Sequence, residues 1–162
     1  MSTESHPPYR TITPSLNFKN TREAIEFYSK VFGAKQLKLI KAPDGGVVHA
    51  EVQFGDCIVM MSDANAEWNA PSPMDCGGSP TLLSFQSEDC DTLFNQAVEA
   101  GSEILMPMED TFWGERMGMV KDPFGYRWSL GKHIEDVTPE EVEKRMKELF
   151  GQGDSPSTPA ST

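Results

Sequence analysis

The chain repeats its own pattern, and that repeat constrains its fold more than any other feature. Residues 11–18 alternate, with Ile12, Leu16 and Phe18 on one face and Thr11, Thr13, Ser15 and Asn17 on the other, as a half-buried strand does. Asn20-Thr21-Arg22-Glu23 follows, an Asn N-cap with Glu three residues on. Ala24, Phe27, Tyr28, Val31 and Phe32 then recur at helical spacing, and Gly33 is a C-terminal stop. A strand at 36–42, a turn at Pro43-Asp44-Gly45-Gly46, and a hairpin of 47–54 with 57–61 around Gly55-Asp56 complete the unit. The second half gives the same order. A strand spans 81–86, and Asp89 caps a helix carrying Leu93, Phe94, Ala97 and Val98 that stops at Gly101. A strand spans 102–106, and a hairpin of 117–121 with 126–130 turns at Asp122-Pro123-Phe124-Gly125. Phe18 aligns with Phe85 and Gly33 with Gly101, an offset of 67–68 residues. Two copies at that spacing read as a duplicated βαβββ module rather than a solenoid.

The rest of the chain divides around these copies. The expected organisation is a flexible N-terminus at 1–8, a first module at 9–63, a linker at 64–80 rich in Asn, Pro, Gly and Ser, and a second module at 81–131. A C-terminal helix falls within 132–150, signalled by Thr138 as N-cap, Pro139 at N1, Glu141 at N3, and Val142, Met146 and Leu149 before Gly151. Residues 151–162 hold no apolar side chain larger than Ala or Pro and read as a disordered tail. The fold class is therefore α+β, two βαβββ modules forming a curved mixed-sheet cleft with an added C-terminal helix.

Charge narrows the partners. Fourteen Lys and Arg against twenty-five Asp and Glu leave a net charge of −11 in 162 residues. An acidic body is repelled by nucleic acid and by anionic membrane surfaces, so neither is expected as a partner. No apolar run approaches the ~20 residues of a membrane helix, and the start lacks the basic and apolar regions of a signal peptide. Cys57, Cys76 and Cys90 are scattered, with no C-x-x-C, which suits a reducing cytoplasm and small inert thiols. G-x-S-x-G, G-x-x-x-x-G-K-[ST] and H-E-x-x-H are all missing from the chain.

Several stretches carry a family resemblance. They are Thr13-Pro14-Ser15-Leu16, Ala24-Ile25-Glu26-Phe27-Tyr28, His49-Ala50-Glu51, Phe112-Trp113-Gly114-Glu115-Arg116, and Asp122 to Leu130 followed by His133-Ile134-Glu135-Asp136-Val137. With the two modules, they resemble the vicinal oxygen chelate superfamily, which holds glyoxalase I, extradiol dioxygenases, and the fosfomycin and bleomycin resistance proteins. The PhnB-like branch is the most similar, and the resemblance covers about residues 9–150. It implies the glyoxalase/bleomycin resistance fold, a cleft cupped by paired modules, a homodimer, and in catalytic members a divalent metal on the cleft floor. The ligands there are His or Glu from the first and fourth strands of each module. Those positions fall on Thr13, Met61 or Ser62, Leu82 and Ser129. Divalent metals need imidazole, carboxylate or thiolate donors, so the scaffold carries over and the ligand set does not.

The candidate ligand pocket is drawn from the residues themselves. Alternation places His49 and Glu51 on the polar face of their strand, opposite Val48, Ala50 and Val52. Trp113 and Arg116 sit in a loop with Gly114, where an indole wall beside a guanidinium suits a planar or anionic ligand. Thr13, Ser15 and Ser129 add hydroxyls from the first and last strands. No catalytic residue and no metal ligand is assigned. The expected function is metal-independent binding of a small molecule without a cofactor. The alternative is a metal-dependent lyase, isomerase, transferase or dioxygenase using Zn, Ni or Mn.

Overall fold

The computed structural model describes residues 6–151. These form β1 (Ser15–Phe18), α1 (Thr21–Phe32), β2 (Lys35–Lys41), β3 (Val47–Phe54) and β4 (Cys57–Asp63). Then come β5 (Leu82–Gln86), α2 (Cys90–Glu99), β6 (Glu103–Asp110), β7 (Glu115–Lys121), β8 (Arg127–His133) and α3 (Pro139–Phe150). The duplication is visible in the topology. One sheet runs β1-β4-β3-β2 and the other β5-β8-β7-β6, so each copy has the same strand order. In each, the first strand pairs parallel with the fourth and the remaining pairs are antiparallel.

The helix signals act as their chemistry requires. The Asn20 side chain accepts the Glu23 backbone N–H, and Gly33 closes α1 in the left-handed region at φ 65°. Thr138 accepts the Glu141 N–H at the start of α3. Asp89 precedes α2 without a side-chain cap bond, and α2 ends at Glu99 with Ala100 rather than Gly101 as its C-cap.

Two of the strands whose bounds differ from the alternation pattern do so at prolines. β1 begins at Ser15 rather than 11, and Ile12 is 84% exposed. Pro14 has no N–H to give a ladder, so only its carbonyl is used, accepting Met60 N–H at 2.9 Å. β6 continues through Pro107 to Asp110, with one register shift between Ile104 and Met106 and another across the proline, between Met106 and Glu109.

The two copies share one core. Phe32 of α1 stacks on Phe85 at 5.6 Å and meets Trp128 at 5.0 Å, while Phe54 stacks on Trp128 at 5.5 Å. Asn17 N–H donates to Tyr126 Oη at 2.9 Å, and the Tyr126 hydroxyl donates to the Asn17 carbonyl at 3.0 Å. Aromatic side chains buried this way each contribute about 1.5–3 kcal/mol. The helices and this core lie on one face of each sheet, and the opposite faces carry His49, Glu51 and Ser129 together with the apolar Ile58, Met60, Met117 and Met119. The linker is partly ordered, with a bridge between Asn65 and Ala70 and a 3₁₀ turn at Pro73–Asp75. The expected tail beyond Gly151 and the first five residues lie outside the described residues.

Candidate functional site

β3 positions the centre of the site. Ala50, Val52 and Phe54 are buried against the aromatic core, so His49 and Glu51 stand on the other face of the sheet. Register then sets their neighbours. Lys38 of β2 and Met60 of β4 flank Glu51, and Ser15 of β1 pairs with Met60, which puts Ser15, Met60, Glu51 and Lys38 in one row. Asn17 and Ser62 lie in the next row, where the Ser62 hydroxyl donates to Asn17 Oδ1 at 3.0 Å.

Glu51 is 2% exposed. His49 Nε2 lies 3.0 Å from one carboxylate oxygen, and His6 Nε2 bonds the other. The Tyr9 hydroxyl interacts with the same carboxylate, and Lys38 Nζ is 3.6 Å away. Burial pushes the carboxyl up, but the hydrogen bonds from His49, Tyr9 and His6 and the Lys38 charge outweigh it and hold it at about 2. Glu51 is therefore a buried, ionised acceptor at neutral pH. His6 falls in the segment expected to be flexible and Tyr9 at the first residue of the expected first module, ahead of its strand, and neither was assigned a role. Contacts at a separation of 45 residues leave no local signal. Lys38 could have been found from the β2–β3 register.

The structure divides the candidate pocket. His49, Glu51 and Ser15 share one sheet face, with Thr13 just ahead of β1, its hydroxyl donating to the Arg10 carbonyl at 3.3 Å. Ser129 is on the second sheet, opposite Ser84 and Met119, on the face away from the core residues Trp128 and Leu130.

Arg116 is turned elsewhere. β7 begins at Glu115, so strand alternation rather than loop geometry aims Arg116, on the same side as Gly118, which abuts Phe94 of α2. There Arg116 Nε and Nη2 donate to Asp91 of α2 at 2.9 and 2.6 Å, and Nη1 donates to Asp110 at 2.9 Å. The expectation of a guanidinium free for an anionic ligand does not match this geometry. Trp113 is 39% exposed, packs edge-on against Phe112 and donates to Glu115 Oε2 at 3.4 Å.

A cleft of about 390 Å³ opens where the two copies meet, lined by Ile12, Pro14, Phe54, Val59, Phe85 and Trp128, with Cys57 among its other walls. None of the seven candidate residues lines it. Cys57 and Cys76 are exposed free thiols, and Cys90 is buried.

The metal positions implied by the resemblance can be tested on the register. Met61 is 1% exposed and faces the core, so Met60 and Ser62 are the residues of β4 on the open face, beside Ser15 and Asn17. In the second sheet the matching pair is Ser84 and Ser129. Thioether, amide and hydroxyl groups do not fit a divalent metal centre. The imidazoles of His6 and His49 lie on opposite oxygens of Glu51, and among the described residues no group of three or more His, Cys, Asp or Glu is arranged to hold a metal ion.

Two mixed four-stranded sheets of identical order, each with its helix on one face, define a class, and the comparisons agree. Residues 12–130 match the family model of the Glyoxalase/Bleomycin resistance protein/Dioxygenase superfamily, and the chain belongs to that superfamily. An uncharacterised protein of Mycobacterium tuberculosis, Rv0887c, is 34% identical over 146 residues, covering 88% of this chain and 84% of its own. Among solved structures, TioX from Micromonospora sp. ML1 superposes with a TM-score of 0.61 at 27% identity, covering 77% of this chain and 99% of TioX. A PhnB protein from Bacillus cereus shares the fold, with a TM-score of 0.58 at 22% identity over 76% of this chain and 99% of that one.

Proposed function

We propose that the chain is a PhnB-like binding protein for a small molecule, working as a homodimer in the cytoplasm and without the superfamily's metal. The observation that carries this reading is a substitution of site chemistry. Where the superfamily's ligands would stand, the open sheet faces hold Ser15, Met60, Ser84 and Ser129. In the row of Ser15 and Met60 the charged acceptor is Glu51, already enclosed by nitrogen and hydroxyl donors. Such a face suits recognition by hydrogen bonding more than Lewis-acid chemistry. Two exposed free thiols are in keeping with a reducing compartment. Among the described residues no helix is long and apolar enough to cross a membrane. On α3, Met146, Leu149 and Phe150 are 47%, 63% and 69% exposed, an apolar stripe that a second copy would cover.

The test has three parts. Protein purified without chelator is assayed for bound metal and for its melting temperature with Zn²⁺, Ni²⁺ or Mn²⁺, where little change is expected. A fragment screen follows by amide shifts, with hits expected at β3. Light scattering at micromolar concentration should give a dimer. A stoichiometric metal lost on His49→Ala would reverse the reading. The second reading, an enzyme, has one observation in its favour: His49 is oriented by a carboxylate at 3.0 Å, the arrangement of a general base. Turnover sensitive to His49→Gln with the fold intact would establish it.

A further inference from the structure

Glu51 lies on the sheet face turned away from the helices, yet it is nearly inaccessible. Part of its cover comes from the segment ahead of β1. His6 bonds one oxygen, Tyr9 reaches the same carboxylate, and their rings are 5.3 Å apart at 49°. Beyond them Arg10 pairs with Asp56 in the β3–β4 turn, and the Pro14 carbonyl accepts from Met60. The arm thus lies along the sheet from the Glu51 row to the hairpin end.

This arm is poorly anchored for what it covers. No residue from 6 to 14 is buried, Tyr9 is 47% and Ile12 84% exposed, and the Arg10–Asp56 pair is exposed on both sides. Exposed ion pairs contribute little, about 0–1 kcal/mol, and segments with few buried apolar contacts open at low cost. Glu51 and His49, by contrast, are fixed by the β3 ladder. A rigid acceptor is therefore covered by a loosely held imidazole and phenol.

We propose that His6 and Tyr9 are an intramolecular stand-in for the ligand. The Glu51 face takes a planar aromatic molecule that donates N–H or O–H to this carboxylate, and its entry displaces the arm. An anionic ligand does not suit the face. Arg116 is committed to Asp91 and Asp110 on the helix side, Lys38 already lies against Glu51, and the chain carries a net charge of −11. The inference rests on the small-molecule reading above and assigns it a ligand class.

2-Aminobenzimidazole is the probe, since it offers parallel N–H donors on a flat ring, and benzoate is the anionic comparator. Calorimetry is run on the full chain, on His6→Ala/Tyr9→Ala, and on that double variant with Glu51→Gln, with β3 amide shifts recorded alongside. The double variant should bind 2-aminobenzimidazole about tenfold more tightly than the parent, the gain for an arm closed roughly nine-tenths of the time. Adding Glu51→Gln should remove at least that gain, and benzoate should bind none of the three. No gain in the double variant, or a gain that survives Glu51→Gln, would overturn the stand-in. Benzoate binding with β3 shifts would overturn the ligand class and keep the small-molecule reading. A hit from the fragment screen at β3 whose affinity ignores the arm substitutions would sink this inference alone.

Discussion

The Tyr28 hydroxyl donates to Asp122 Oδ2 across 2.5 Å, joining the helix of the first copy to the β7–β8 turn of the second. The same oxygen accepts Trp128 Nε1 at 2.8 Å, and Oδ1 accepts the backbone N–H of Phe124 at 3.0 Å and Tyr126 at 2.9 Å. Tyr28 is fully buried and Asp122 is 3% exposed. Burial raises the Asp122 carboxyl, and these four donors work against it. The D-P-F-G turn thus fastens the two modules together as well as reversing the chain.

Asp122→Ala would strand the Tyr28 hydroxyl and the Trp128 indole N–H in the core. Each orphaned donor costs about 1–3 kcal/mol, so for the two a loss of about 2–6 kcal/mol is expected. Tyr28→Phe leaves Asp122 three of its donors and should cost about 1–2 kcal/mol. Urea unfolding followed separately by Trp fluorescence and far-UV circular dichroism should show one coincident transition, because the modules share this joint. A loss under about 1 kcal/mol for Asp122→Ala, or two separated transitions, would contradict this account.

Glu51 predicts an acid limb. Its folded carboxyl sits at about 2 against an ordinary value of 4.5, so its contribution is present above 4.5 and is lost as pH falls through that range toward 2. Glu51→Gln removes one titration without changing size. The parent should therefore lose stability faster than the variant between those limits, by about 1–3 kcal/mol in total. Parallel acid limbs in the two proteins would show that the cluster does not hold the carboxylate.

The repeat could be read before the structure because its signals are local. Asn20 and Thr138 bond N–H groups within one turn, Gly33 adopts the left-handed turn, and strand alternation sorts Ala50 and Val52 from His49 and Glu51. The site was read only in part because its remaining contacts are long-range. Arg116 looked like a loop residue because β7 starts at Glu115, two residues earlier than the apolar pattern begins. That shift in boundary decides which side of the sheet the guanidinium faces. His6 meets Glu51 only after the arm folds back over the hairpin, and residues 6–8 carry no periodicity that could announce it.

Arg116 yields a prediction opposite in kind to a ligand contact. Three of its five N–H groups are taken by Asp91 and Asp110, so Arg116→Ala should lower the thermal midpoint and bring down the salt dependence of stability. Asp91→Asn should do part of the same. The affinity of the arm-free variant for 2-aminobenzimidazole should stay within about twofold, as for sites with no shared partner. A large loss of affinity with unchanged stability would restore Arg116 to the binding face.

Gly114 is where the W-G-E-R and H-I-E-D stretches meet. Its carbonyl accepts Ile134 N–H at 2.9 Å and Glu135 N–H at 3.1 Å, and Arg145 of α3 donates to the Phe112 carbonyl at 3.3 Å and to Glu135 at 2.8 Å. Gly114 has φ 94°, and a Cβ there would lie 2.1 Å from the Glu135 carbonyl oxygen. No side chain fits without moving that backbone, and an L-residue is strained at this angle as well. Gly114→Ala should therefore cost at least about 1–3 kcal/mol and loosen α3, which has no buried residue and whose Phe150 packs edge-on against Phe112, two residues before Gly114, at 6.1 Å. Hydrogen exchange should show α3 amides losing protection before those of β3. If Met146, Leu149 and Phe150 form the dimer contact, light scattering of the same variant should shift toward monomer. Unchanged α3 protection in Gly114→Ala would mean that the helix is held by something other than this joint.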